Sequence, residues 1–73
     1  MKTFRVWLRR FEDDNNAIGD LARDIKDDNG FPTTNKHNVI LEYLYERNAC
    51  YAALYTFQRA WDLYKQSEVT ITN

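Results

Sequence analysis

Hydrophobic residues recur at helical spacing in four segments of the chain, separated by polar stretches. The first segment has apolar residues at i, i+3, i+4 and i+7, on one helix face: Phe4, Trp7, Leu8 and Phe11. Thr3 stands just before them, where a hydroxyl can accept a hydrogen bond from the free N–H groups of a first helical turn. The pattern therefore predicts a helix over residues 4–12.

The second segment repeats this spacing and ends in a turn sequence. Its apolar positions are Ile18, Leu21, Ala22 and Ile25. Asn15 or Asn16 can cap its start, and the pattern stops at Asn29-Gly30. We expect Gly30 to adopt the left-handed conformation that often follows a helix, because glycine does so without steric cost. The segment predicts a helix over residues 17–28.

Two further amphipathic segments follow Pro32. The third helix can be capped by Thr33, Thr34 or Asn35, and its apolar positions are Val39, Ile40, Tyr43 and Leu44. Asn48 interrupts it. The fourth helix, over residues 50–66, has a longer apolar stripe: Ala53, Phe57, Ala60, Trp61 and Tyr64. The last residues, 67–73, favour a strand but have no partner strand, so we expect them to fray.

These segments predict one all-α domain. A chain of 73 residues is too short for two separate cores, so residues 1–66 form a single helical domain and residues 67–73 its tail. Amphipathic helices joined by short connections pack as a small bundle. We therefore expect a four-helix bundle in which two Trp, five Tyr and four Phe residues supply much of the core.

A spaced set of residues within these helices resembles a known family. The set comprises Ile18-Gly19-Asp20-Leu21-Ala22, Asp24-Ile25, Asp27-Asp28, Phe31-Pro32, Tyr43-Leu44, Phe57, Ala60-Trp61 and Tyr64. It is similar to the YozE-like family of small proteins from Gram-positive bacteria and their phages, over roughly residues 4 to 65. The resemblance implies a sterile-alpha-motif-like fold of four or five helices. It brings no catalytic residues with it.

Cysteine and histidine are too scarce for the usual metal and disulfide sites. Cys50 and His37 are the single residues of their types, which excludes an intramolecular disulfide and a four-ligand zinc site. A calcium-binding EF-hand loop with Gly30 at its sixth position would have Ile25 first and Lys36 twelfth, where a carboxylate is required. We therefore expect neither a metal nor a cofactor.

The sequence also disfavours catalysis and membrane insertion. Cys50 stands near a predicted helix start, where a thiolate is favoured, but His37 lies a full helix away. We interpret Cys50 as a buried, unreactive side chain. Arginines interrupt the apolar run that an N-terminal signal peptide would need, and no run of about 18 apolar residues occurs. We expect a cytoplasmic protein that is not an enzyme and does not contact membranes.

Three carboxylates share the face of the predicted second helix opposite its apolar stripe: Asp20, Asp24 and Asp27. A solvated surface is the favoured interpretation, and a docking surface for another protein is the alternative. Asp27 and Asp28 lie in the last turn, where a carboxylate opposes the helix dipole at a cost of about 0.3–1 kcal/mol. We therefore expect them to gain a hydrogen bond in the Asn29-Gly30 turn or an arginine partner.

Four cations gather near the start of the chain: Lys2, Arg5, Arg9 and Arg10. The favoured interpretation pairs the arginines with aspartates of the second helix, since helices joined by a short connection are neighbours. A nucleic-acid-binding patch is the alternative. The net charge of -1, from ten Lys and Arg against eleven Asp and Glu, is unfavourable for binding phosphates.

Two apolar pairs with i, i+4 spacing lie outside the main stripes: Leu41 with Tyr45, and Tyr51 with Tyr55. Packing against a wide core face is the favoured interpretation. If these side chains are exposed instead, they form a tyrosine-rich patch typical of partner-binding sites. The sequence thus favours a protein interaction module that binds another protein or a second copy of itself, with nucleic-acid binding as the alternative.

Overall fold

All four predicted helices are present in the computed structural model, which describes the backbone of residues 2–71 and the side chains of residues 2–67. The helices are α1 (Phe4–Leu8), α2 (Ala17–Asp27), α3 (His37–Glu46) and α4 (Tyr51–Ile71). A 3-10 turn over Arg9–Phe11 follows α1. No strand occurs among these residues. The prediction of a small all-α bundle is confirmed.

The first helix is shorter than its apolar pattern predicts. Thr3 caps it as expected by accepting a hydrogen bond from the Val6 N–H, but the α-helical part ends at Leu8. The chain then tightens into the 3-10 turn, after which the Asp14 N–H donates to the Phe11 carbonyl. The tighter turn directs the chain back so that α2 can pack against it.

Gly19 makes this packing possible. A Cβ atom at Gly19 would lie 1.9 Å from the Asp14 carbonyl oxygen and 3.1 Å from the Phe11 carbonyl oxygen. The Gly19 N–H donates to the Asn16 side chain, which caps the start of α2 as predicted. Only a residue without a side chain therefore allows α2 and the preceding turn to approach this closely.

The core is built on α4 and is rich in aromatic rings. Most of the predicted core positions are buried: Phe4, Trp7, Leu8, Leu21, Ala22, Ile25, Ile40, Leu44, Phe57, Ala60, Trp61 and Tyr64. Phe31 joins them from the α2–α3 connection. Phe11, Ile18, Tyr43 and Ala53 are partly buried, whereas Val39 is exposed over 44% of its surface. It lies on the side of α3 that turns away from the core, where a three-turn helix has no neighbour to cover it.

The left-handed residue is Asn48 rather than Gly30. Asn48 has φ 57°, and no glycine has a positive φ, so the prediction for Gly30 is wrong. After α3, the Asn48 N–H donates to the Tyr45 carbonyl and the Ala49 N–H to the Leu44 carbonyl, both at 3.0 Å. This pair of bonds is a Schellman motif, in which asparagine tolerates the left-handed position. It turns the chain from α3 into α4.

The start of α3 is held by a histidine rather than by a side-chain cap. Lys36 occupies the cap position without a side-chain hydrogen bond, and Thr34 accepts instead from the Lys36 N–H. His37 places its Nε2 atom 2.8 Å from Oε1 of Gln58 on α4. The His37 ring also lies 5.2 Å from the Phe57 and Trp61 rings. The first turn of α3 thus packs on the middle of α4, and the two helices run antiparallel.

The fourth helix is longer than predicted. It continues to Ile71, five residues beyond the predicted end at residue 66. Residues 72 and 73 of the predicted tail lie outside the described residues, and the expected fraying stays a prediction.

Replacing Gly19 by alanine should destabilise the domain. The clash with backbone atoms forces α2 away from the turn, which costs about 1–3 kcal/mol and outweighs the alanine's helix propensity of about 1 kcal/mol. Urea unfolding followed by circular dichroism measures the change. Gly30→Ala is the matched control, since its Cβ would meet side-chain atoms rather than backbone: the Tyr43 hydroxyl at 3.3 Å and an Asp28 carboxylate oxygen at 3.6 Å. Equal stability losses in both variants would contradict the assignment.

Candidate interaction surfaces

The carboxylate of Asp28 joins the end of α2 to α3. It accepts hydrogen bonds from the Gly30 N–H at 3.1 Å and from the Tyr43 hydroxyl at 2.6 Å. The Arg47 guanidinium lies 3.7 Å from the same carboxylate. Asp28 therefore has both the turn hydrogen bond and the arginine partner that its position against the helix dipole predicted. The arginine, however, comes from the end of α3.

These contacts shift the acidity of both partners. The hydrogen bond from Tyr43 holds the pKa of the Asp28 carboxyl below its usual value, against the opposing effect of burial. The Gly30 N–H and the charges of Arg47 and Arg5 lower it further. The same hydrogen bond, together with burial, raises the pKa of Tyr43. The pair is thus held as a carboxylate and a neutral phenol near neutral pH.

None of the α1 arginines pairs with a carboxylate of α2, so the predicted pairing is wrong. Arg5 donates instead to the backbone carbonyls of Asp28 and Phe31, at 2.9 and 3.1 Å. Arg9 in the following 3-10 turn lies 3.8 Å from Glu12. The Arg10 guanidinium lies 5.3 Å from the centre of the Trp7 ring. Because α1 ends at Leu8, Arg9 and Arg10 lie in the 3-10 turn that follows it, and Arg5 is satisfied by backbone carbonyls.

The predicted cationic patch is therefore spread over several internal contacts. Arg5, Arg9 and Arg10 each have a partner within the chain, and Lys2 is exposed while its carbonyl accepts a hydrogen bond from the Tyr64 hydroxyl. Nucleic-acid binding through these residues stays a prediction.

The three carboxylates on the outer face of α2 are exposed as predicted. Asp20 pairs with Arg23, and Arg23 also donates to the carbonyls of Glu12 and Asp14. Asp24 and Asp27 have no ion pair with any residue whose side chain is described. A shallow depression of about 420 Å³ lies beside them, lined by Asp24, Asp27, Asp28, Asn29 and Arg47.

The tyrosines outside the main stripes are exposed. Tyr45 is 61% exposed, Tyr51 85% and Tyr55 58%, so the favoured interpretation of core packing is wrong for all three. Leu41 does pack against the core and is only partly exposed. An i, i+4 pair next to a core stripe is compatible with a buried or an exposed environment. Here three helices already cover the buried face of α4.

The three exposed tyrosines lie on one side of the α3–α4 pair. The contact between His37 and Gln58 gives a common reference level for α3 and α4. Tyr45 is eight residues after His37 on α3, and Tyr51 is seven residues before Gln58 on α4. At a rise of 1.5 Å per residue these are similar heights, about 12 and about 10 Å. Successive residues of a helix are rotated by about 100°, so Tyr45 points away from the side of α3 on which Tyr43 meets Asp28. Tyr45 points instead towards the side of the helix pair that carries Tyr51 and Tyr55.

Charged residues flank the tyrosines on both helices. Glu42 and Glu46 are exposed on α3 beyond Tyr45. Arg59 is exposed on α4 beyond Tyr55, with its guanidinium 5.9 Å from the Tyr55 ring centre. None of these three charges forms an ion pair with another described side chain. We call the six residues the α3–α4 outer face: Glu42, Tyr45, Glu46, Tyr51, Tyr55 and Arg59.

The aspartates of α2 lie away from this face. Tyr43 and Tyr45 leave α3 about 160° apart, and Tyr43 points to the end of α2. The acidic surface and the tyrosines are therefore on opposite sides of α3 and do not form one continuous patch.

Cys50 is exposed, so its interpretation as a buried side chain is wrong. It lies in the short connection that the Asn48 turn creates, just before α4 begins at Tyr51. The His37 ring packs on Phe57 and Trp61, about two turns further along α4.

Sequence reasoning missed three partners that the fold brings together: Tyr43 and Arg47 at Asp28, and Arg59 beside Tyr55. The unfavourable position of Asp28 against the helix dipole was the one sequence signal that pointed to a partner. The identity of that partner depends on how α3 packs, and the local spacing of residues carries no information about this packing.

Replacing Tyr43 by phenylalanine should raise the pKa of Asp28 and weaken the fold near neutral pH. A carboxyl whose folded pKa is lowered stabilises the fold above its unfolded pKa, and this contribution is lost as the pH falls through the folded pKa. The variant should therefore lose stability near neutral pH, and little once the pH lies below the folded pKa of Asp28. Carboxyl NMR titration and urea unfolding test both effects.

Tyr45→Phe is the matched control, two residues along the same helix and exposed. It should change neither the Asp28 titration nor the pH dependence of unfolding. An unchanged Asp28 titration in Tyr43→Phe would contradict the proposed cause of the shift.

Comparison with known proteins places the chain in a family. Residues 3–66 of the 73 match the family model described as the YozE SAM-like fold, where SAM stands for sterile alpha motif. Comparison with curated proteins and with solved structures gives no match. None of the helices within residues 2–71 has the length and apolar composition that crossing a membrane requires. Because the match spans nearly the whole bundle, the chain belongs to the YozE family of sterile-alpha-motif-like domains.

Proposed function

We propose that this chain is a non-catalytic protein interaction module that binds its partner through the α3–α4 outer face. The observation that carries the proposal is the exposure of Tyr45, Tyr51 and Tyr55 on one side of the bundle. Tyrosine is enriched in the centres of protein interfaces, where its ring is buried and its hydroxyl finds a hydrogen bond.

The distribution of aromatic residues supports this proposal. Eight of the eleven Phe, Trp and Tyr side chains are buried or packed against the core, among them Phe4, Trp61 and Tyr64. A chain this small needs its large apolar groups inside. The three tyrosines left outside are gathered on one face, and Leu41 forms part of the apolar base beside them. A face of this composition gains free energy when another surface covers it.

The α2 aspartates are a separate part of the proposal. Asp20, Asp24 and Asp27 are exposed on the opposite side of α3 and could contact only a partner that wraps around that helix. We therefore assign the principal contact to the tyrosines.

Replacing Tyr45 and Tyr55 together by alanine should leave the domain folded and abolish partner capture. Both side chains are more than half exposed, so their removal changes core packing little. Loss of two interface tyrosines should weaken binding at least tenfold, at about 1.4 kcal/mol per factor of ten. Affinity capture from native cell extract with quantitative mass spectrometry measures the loss.

A paired variant at Val6 and Val39 controls for general loss of exposed apolar surface. Both valines are exposed, 49% and 44%, and neither is one of the six residues of the α3–α4 outer face. Their replacement by alanine should leave the captured proteins unchanged. An identical capture profile for the tyrosine variant and the wild type would reject the proposed surface.

A further inference from the structure

We infer that the partner on the α3–α4 outer face is a polypeptide segment that presents arginine to Tyr45 and Tyr51. The inference rests on the proposed function of the same face and adds the chemistry of the partner. Its basis is the set of groups that lie near these two tyrosines and lack a partner within the described part of the chain.

One end of the outer face brings two tyrosines and two carboxylates together. Four exposed side chains lie at similar heights, between about 7 and about 14 Å from the level of the His37–Gln58 contact: Glu42, Tyr45, Glu46 and Tyr51. Glu42 precedes Tyr45 by three residues, so these two side chains are neighbours on the surface of α3. We call these four residues the acidic end of the outer face.

The acidic end has no cation of its own among the described residues. Neither glutamate forms an ion pair with a residue whose side chain is described. No described ring or cation packs on either tyrosine, and neither hydroxyl forms a hydrogen bond with a described residue. Arg47 follows α3 but pairs with Asp28 on the opposite side of that helix.

The chain contains the complete arrangement beside Tyr43. The Arg47 guanidinium lies 5.3 Å from the centre of the Tyr43 ring and 3.7 Å from the Asp28 carboxylate. A planar guanidinium can stack on an aromatic ring while its N–H groups donate to a carboxylate. The acidic end has the rings and the carboxylates of this arrangement. An arginine from a partner would complete it.

The opposite end of the outer face already contains a cation. Arg59 lies one residue beyond the level of the His37–Gln58 contact, with its Nη1 atom 3.5 Å from the Tyr55 hydroxyl. Asp62 is exposed one helical turn further along α4. That end thus carries one charge of each sign and favours neither sign in a partner. The charge of the partner is therefore determined by the acidic end.

Partners of other chemistry fit the acidic end less well. An acidic segment or a nucleic-acid backbone would be repelled by Glu42 and Glu46. A purely apolar segment would cover the tyrosines but would remove water from the nearby carboxylates without replacing it. Asp24 and Asp27 are also exposed without ion pairs, but Tyr43, the ring beside their depression, already carries Arg47.

Titration of the isotope-labelled full chain with short peptides tests the inference. The probe is a peptide of alternating arginine and leucine, compared with peptides in which lysine or glutamate replaces arginine. The arginine peptide should give saturable NMR shifts centred on the backbone amides of Tyr45 and Tyr51. The lysine peptide should bind about threefold more weakly, because an ammonium group lacks the planar fork of a guanidinium. The glutamate peptide should give no shifts at these amides.

A pair of charge-neutralised variants tests the carboxylates. Glu42→Gln combined with Glu46→Gln should weaken binding of the arginine peptide about fivefold. Asp24→Asn combined with Asp27→Asn is the matched control, since these aspartates are also exposed and without ion pairs. The control removes the same charge from the opposite side of α3 and should change the dissociation constant by less than about twofold.

A second pair of variants tests the tyrosine rings. Tyr45→Leu combined with Tyr51→Leu retains apolar surface but removes the rings, so it should abolish the preference for arginine over lysine. Tyr45→Phe combined with Tyr51→Phe retains the rings and should keep that preference. Both positions are more than half exposed, so the domain should stay folded, which circular dichroism verifies.

The outcomes separate this inference from the proposed function. The inference is overturned if the arginine peptide gives no saturable shifts, or if the shifts centre on Asp24 and Asp27. It is also overturned if the aspartate control weakens binding as much as the glutamate variant. If cellular capture depends on Tyr45 and Tyr55 but is unchanged by neutralising the glutamates, the outer face remains the interaction surface and arginine is rejected as the recognised group.

Discussion

The burial of Phe4 among four aromatic rings is the interaction on which the rest of the bundle depends. Its ring lies 5.3 to 6.1 Å from those of Trp7, Phe57, Trp61 and Tyr64. An isolated helix of five residues is unstable in water, so α1 exists because this ring holds it on α4. The Tyr64 hydroxyl adds a hydrogen bond to the Lys2 carbonyl just before the helix.

The position of α1 in turn orders the connection between α2 and α3. Arg5 lies in α1 and donates to the carbonyls of Asp28 and Phe31, just beyond the end of α2, where the Asp28 carbonyl also accepts from the Phe31 N–H. Phe31 is then buried with its ring 5.5 Å from that of Tyr43, and the Tyr43 hydroxyl reaches Asp28. One arginine thus transmits the placement of the first helix to the third. The use of its guanidinium in this contact removes it from the cationic surface.

The sequence predicted the features that depend on the local spacing of residues. It failed to predict contacts between segments that are distant along the chain. Helical periodicity located all four helices and nearly all of the core, because a buried face repeats every turn. It could not distinguish exposed Tyr45 and Tyr55 from core residues, since that depends on how many helices cover α4. Nor could it assign Arg5 to backbone carbonyls. The left-handed turn fell at Asn48 because α3 ends there in a Schellman motif, whereas Asp28 closes α2 in an extended conformation.

The residues by which the chain resembles its family mainly build the fold. Gly19 permits the close approach of α2 to the preceding turn, Asp28 closes that helix, and Phe31 fills the core beneath Tyr43. The family match therefore accounts for the architecture and leaves the partner open, since function resides in sites placed on a fold. The α3–α4 outer face consists of positions that the core does not constrain. Its exposed tyrosines and unpaired charges have no role in holding the four helices together, which is why we assign the function to them.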